Sequence, residues 1–253
     1  MVRLFKHLGE FGPDYNSKGF SKEKVFAKAF PREKYHDGSF RNMLTNLVHL
    51  LESYMAHEVY SSSMQTSKTF LLKAYNERRL EREFVSTLRT IEKELENTKY
   101  RDRLYYYNKY LLEDELVRYE TKVGKQTVEA SLSSTERSLD IFYLGSKLRL
   151  FCAWLAQKKL SNSSTEMHFV NEIEGIVERN NYLEIPVIAF YYYGLQISKS
   201  NDDEDSYAKL RAELDRNIEH LPLHEAREVI LLARNFCTSH INRGRIQYLD
   251  QVY

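Results

Sequence analysis

Four prolines and nine glycines in 253 residues leave little material for tight turns. Sheet sandwiches and α/β folds need more of both, whereas long helices joined by short loops need fewer. Cysteine is equally sparse: Cys152 and Cys237 stand alone, and both fall in apolar helical patterns. That excludes a disulfide framework and a paired-cysteine metal site, and predicts two buried, reduced thiols. No apolar run approaches the roughly 20 residues that a membrane-spanning helix requires. "MVRLFKHLGE" lacks the apolar centre of a secretion signal, so a cytoplasmic protein with no membrane partner is expected. The formal net charge of +1 gives no overall pull toward nucleic acid or anionic lipid. Basic residues slightly outnumber acidic ones over residues 1–130, and the balance reverses over 131–253.

Apolar residues at helical spacing make up for those absences. Hydrophobic residues are 42% of the chain and charged residues 29%, the composition of a globular protein with a real core. Ser21 suits the N-cap of a short helix carrying Val25, Phe26, Ala29 and Phe30, and Pro31 ends it. Phe40, Met43, Leu44, Leu47, Val48, Leu51, Tyr54 and Met55 predict a long helix with a wide buried stripe. "SSSMQTSK" (61–68) reads as a break. Leu80, Phe84, Leu88, Ile91 and Leu95 form a narrow stripe with a charged back, which places their helix on the outside. "RLYYYNKYLLEDELVRYE" (103–120) follows. Ser134 then opens a helix reaching Leu160, "SNSS" (161–164) is a loop, and a helix runs over 166–179. Pro186 and Pro222 suit helix starts, "SKSNDDEDS" (198–206) is an acidic loop, and Gly244 closes the last helix. No segment alternates apolar and polar residues as a half-buried strand does. The fold is expected to be all-α, with ten or eleven helices in antiparallel hairpins.

Two tyrosine triplets, Tyr105–Tyr107 and Tyr191–Tyr193, interrupt this pattern. Successive helix residues turn by about 100°, so each triplet fans over roughly 200° and no single flank can bury it. An inner helix of a stacked array, covered on three sides, would accommodate such a fan.

The chain also repeats itself weakly. Ile141, Leu144, Gly145 and Leu148 match Phe190, Tyr193, Gly194 and Ile197, and then Val229, Leu232, Ala233 and Phe236. The small residue in each set lets a partner helix approach. These segments resemble the first helix of a tetratricopeptide repeat over about residues 135–253, although the spacing is not 34 and the second-helix landmarks are missing. "NFCTSHINRG" (235–244) is similar to segments of uncharacterised bacterial helical-repeat proteins, a likeness that brings no function. The resemblance implies one right-handed α-solenoid over residues 1–253, with N-terminal helices over 1–125 and tetratricopeptide-like repeats over 126–253. It further implies a non-enzymatic scaffold holding a peptide or helix in a concave groove. The groove positions it implies are Phe142, Ser146, Arg149, Tyr191, Ser198, Arg227 and Arg234, whose arginines would suit a carboxylate-bearing peptide.

Chemistry-bearing motifs are otherwise scarce. His49, Glu52, His57 and Glu58 lack a third ligand at a metal-binding spacing, and Pro222 separates His220 from His224. "NDDEDS" lacks the glycine and closing glutamate of a calcium loop. No glycine-rich phosphate loop or nucleophile motif is present, so neither a cofactor nor an enzymatic activity is expected. One alternative remains. Residues 18–60 resemble the helical part of a winged-helix DNA-binding domain. Lys18, Lys22, Lys24, Lys28, Arg32, Lys34 and Arg41 would then make a nucleic-acid-binding regulator.

Overall fold

A computed structural model describes residues 1–10, 20–62, 64–160, 166–200 and 202–251. Among these residues there are helices and connections and no strand, so the chain is all-α. The expected loop at 161–164 and Lys18 lie outside the described residues. The fold divides into two compact units, Met1–Ser67 and Lys68–Tyr253. Residues 125 and 126 both fall within the second.

The first unit holds α1 (Val2–Gly9), α2 (Lys22–Ala29) and α3 (Asp37–Ser62). Ser21 caps α2 by accepting a hydrogen bond from the Lys24 amide at 3.2 Å. Leu4, Val25, Phe26, Ala29, Phe40 and Leu47 form its core. The Phe26 ring meets Tyr35 and Phe40 edge-on at 5.4 and 5.5 Å. The wide stripe expected along α3 is buried only in its first part. Val48, Leu51, Tyr54 and Met55 are 36–62% exposed. The reason is length. At 1.5 Å per residue, the eight-residue helices α1 and α2 span about 12 Å each. The 26-residue α3 extends well beyond such partners.

The unit boundary falls within α4 (Met64–Glu77), most of which belongs to the second unit, and α5 (Glu81–Asn97), α6 (Arg103–Val123) and α7 (Val128–Leu160) follow. After these come α8 (Val170–Arg179), α9 (Pro186–Lys199), α10 (Glu204–Asn217) and α11 (Leu223–Ile241). The break expected over residues 61–68 is helical where it is described, with α3 running to Ser62 and α4 from Met64, and Ser63 lies outside the described residues. Two expected boundaries move. α7 starts six residues before Ser134, because the hydroxyls that looked like caps find other acceptors. Ser134 Oγ donates to Glu113 and Thr135 Oγ1 donates back to the Ser131 carbonyl. α8 starts at Val170 rather than 166, after Phe169 takes a left-handed conformation at φ 66°.

The core of this unit has two parts. Leu72, Phe84, Leu88, Ile91, Leu95, Leu112 and Tyr119 join α4, α5 and α6. A larger cluster joins α7 to α11 around α9. α6 lies along α7, α7 packs on α9, and α9 packs on both α10 and α11. The α9 residues Val187, Ile188, Ala189 and Phe190 are all fully buried, so this helix is covered on nearly every side. Gly194 permits the approach of α11, since a Cβ there would stand 2.6 Å from Leu232 Cδ1. Both cysteines are free and buried.

The tyrosine triplet of α6 reaches three surroundings. Tyr105 packs on the α4–α6 cluster, Tyr106 on the α7–α11 cluster, and Tyr107 lies 4.9 Å from the ring of Phe142. In α9, Tyr191 and Tyr192 are buried and their hydroxyls donate to Glu228 and Glu178.

Candidate functional site

Phe142, Ser146 and Arg149 follow one another at steps of four and three on α7, which places them on one face. Arg149 is bidentate to Glu228 of α11, with Nε and Nη2 each 2.6 Å from a carboxylate oxygen. Tyr191, 1% exposed, donates to the same carboxylate at 3.3 Å. The structure therefore brings Arg149 and Tyr191 together through Glu228, and a carboxylate from this chain already occupies the guanidinium fork. The Arg149 bond holds Glu228 below the usual carboxylate range. Burial pushes the Tyr191 hydroxyl upward, helped by the charges of Glu225 and Glu228. Ser198 donates to the Gly194 carbonyl of its own helix, the Ser146 hydroxyl is buried without a partner, and Arg227 and Arg234 are exposed.

Beside this pair lies a second. Arg103 Nη2, at the start of α6, stands 2.6 Å from Oε1 of Glu225, whose side chain is completely buried. Neither Glu225 oxygen receives an aligned hydrogen bond, and Arg103 Nε has no acceptor. Burial raises the Glu225 carboxyl, and the neighbouring Asp102 charge adds to the rise against the opposing pull of Arg103. The two ion pairs tie α6, α7 and α11 together. The Arg103–Glu225 pair is largely enclosed in the packing, whereas Arg149 and Glu228 are each about a third exposed.

A wider opening lies elsewhere. A cleft of about 450 Å³ lies between α5, α6 and the first turns of α7. Leu95 and Leu112 are buried in its floor, beside the partly buried Tyr105 and Leu116. Small residues from 127 to 134 make the far wall. Their hydroxyls are engaged: Thr127 and Ser131 both donate to Glu120 at 2.6 Å, and Ser134 to Glu113 at 2.6 Å. Glu92 and Glu96 of α5 stand on the rim, one helical turn apart, and Glu113 lines the α6 side with Lys109. Burial raises the Glu92 carboxyl, and the like charge of Glu96 raises it further. A smaller opening of about 260 Å³ sits between α4, α5 and α6, around Arg79, Phe84 and Tyr119.

Sequence reasoning pointed to α7, α9 and α11 and missed this cleft. The one signal available was Glu92 and Glu96 at i, i+4 on the flank of the α5 stripe, a like-charge pair that weakens an isolated helix. Elsewhere, His49 pairs only with Glu52 at 3.3 Å on an exposed helix. Among the described residues no group of three or more His, Cys, Asp or Glu converges as a metal set would. In the N-terminal basic segment, Lys22 and Arg41 both face Asp37, and Lys28 faces Glu10. No helix is long and apolar enough to cross a membrane, among the described residues. No family model matches the chain, and no curated protein or solved structure matches it either.

Proposed function

We propose that this chain is a non-enzymatic scaffold that docks a helix or an extended peptide into a groove between its helices. The observation that carries the reading is the α5–α6–α7 cleft: an apolar floor, a polar rim, and a volume within the range of about 300–1,000 Å³ typical of ligand sites. The packing of α7, α9 and α11 in succession supports a tetratricopeptide-like stacking of helical hairpins, an architecture that offers such surfaces. The ionisable groups gathered between α6, α7 and α11, at Arg103–Glu225 and Arg149–Glu228, are already paired with one another.

The test is affinity capture on immobilised protein, with and without nuclease, comparing three forms. Ala130→Trp fills the cleft from an exposed position and leaves the core untouched. The triple change of Arg149, Arg227 and Arg234 to Ala removes the arginines of the α7–α11 face. The cleft reading expects a nuclease-resistant, stoichiometric partner that is lost on Ala130→Trp. Loss on the arginine triple alone would move the groove to the α7–α11 face. Loss on nuclease treatment alone would replace the scaffold with the nucleic-acid reading of the N-terminal helices.

A further inference from the structure

We propose that the partner of the α5–α6–α7 cleft is a cationic amphipathic helix, its apolar face on Leu95, Tyr105, Leu112 and Leu116 and its lysines or arginines on Glu92, Glu96 and Glu113. This rests on the docking reading above and adds the chemistry of the occupant. Three observations lead there. The first is charge. The lining carries three glutamates against the single cation Lys109. Lys109 Nζ stands 3.7 Å from Glu113 Oε1 and reaches neither rim glutamate as an ion pair. Glu92 and Glu96 have no ion-pair partner among the described residues.

The second is an unmet bond. Glu113 Oε1 accepts the Ser134 hydroxyl, but Oε2 is buried with no hydrogen-bond partner. The chain therefore compensates the Glu113 charge incompletely, and that charge adds to the negative potential that draws a cation to the cleft. The wall hydroxyls of Thr127 and Ser131 do not complete the compensation, since they are turned toward Glu120.

The third is shape. The α6 lining runs from Tyr105 to Leu116, about 16 Å along the helix at 1.5 Å per residue. That is three turns, the length over which a docked helix presents side chains at i, i+4 and i+7. The volume accepts the side chains of one helical face, not a whole helix. An acidic rim admits positive charge beside that face and repels negative charge.

The experiment is fluorescence anisotropy with two labelled 18-residue peptides. One carries leucines at i, i+3, i+4 spacing with lysines elsewhere, and the other replaces each lysine with glutamate. The full chain is expected to bind the Leu/Lys peptide and not the Leu/Glu peptide. Combined Glu92→Gln, Glu96→Gln and Glu113→Gln should weaken binding at least tenfold, with the thermal midpoint kept. Ala130→Trp should abolish it. Equal binding of both peptides, an unchanged Kd in the glutamine variant, or no binding of the Leu/Lys peptide would each overturn the cationic partner. A Leu/Glu peptide that binds and is displaced by Ala130→Trp would overturn it while leaving the docking reading standing. Failure of the docking reading itself is read from the capture experiment, in which Ala130→Trp would change nothing.

Discussion

At the residue scale, the two glutamates of α11 pull stability in opposite directions with pH. Glu225 titrates above its ordinary value, so its contribution is full at low pH and is lost as pH rises through the raised value. Glu228 titrates below its ordinary value, so its contribution is present near neutrality and is lost as pH falls below about 4.5. Urea unfolding of Glu225→Gln across pH 4–8 should show less loss of stability toward high pH than the parent chain. Glu228→Gln should show less loss toward low pH. Removing Arg103 is more costly, because it leaves a buried carboxylate uncompensated. Arg103→Met should cost about 3 kcal/mol at pH 7.5, and the deficit should shrink as pH is lowered, because a protonated Glu225 no longer needs the cation. A deficit independent of pH would mean that the pair is not electrostatically coupled. Gly194 offers a separate test. Gly194→Val should destabilise by about 2 kcal/mol through overpacking. Leu232→Ala in the same chain should recover part of that loss, and strictly additive effects would show that the two side chains do not compete for one space.

At the element scale, α6 organises the second unit. Its first turn is capped by Asp102, which accepts the Tyr105 amide at 2.8 Å, and Gly124 ends it at φ 69°. Between those ends the tyrosines point into different cores. Tyr106→Ala should cost about 3 kcal/mol, while Leu104→Ala, at a half-exposed position, should change stability by less than about 0.5 kcal/mol. Chemical denaturation of both variants checks this. Equal losses would show that the fan of tyrosines is not what anchors the helix. Much of this was legible in the chain. The α5 stripe from Phe84 to Leu95 (though not the exposed Leu80 that precedes the helix), the Ser21 cap, the Pro186 and Pro222 starts and the fan of aromatics follow from spacing and local chemistry. The start of α7 did not, because Ser134 looks like a cap until its bond to Glu113 is known. The exposed half of α3 did not either, since periodicity describes a face but not the length of what covers it. The cleft was hidden for a related reason. Glu92, Glu96 and Glu113 read as solvated charges on two separate helices, and only packing sets them around one apolar floor.

At the scale of the whole molecule, the two units differ in how much holds them. Among the described residues the first holds one small cluster of six buried residues, and cores of that size supply only about 3–5 kcal/mol. Residues 68–253 contain two clusters, the larger of them built around α9. Expressed alone, 68–253 should stay helical by circular dichroism and unfold cooperatively, within a few degrees of the main transition of the full chain. Loss of cooperative unfolding would show that the first unit is needed for the second. The measurement that bears most directly on the docking role is cross-linking mass spectrometry on the captured complex. The docking reading predicts cross-links from the partner to Lys93 of α5, Lys109 of α6 and Lys99 in the connection between them, with none from the cleft in the Ala130→Trp form. A partner cross-linked only to the lysines of α2, or released by nuclease, would contradict it.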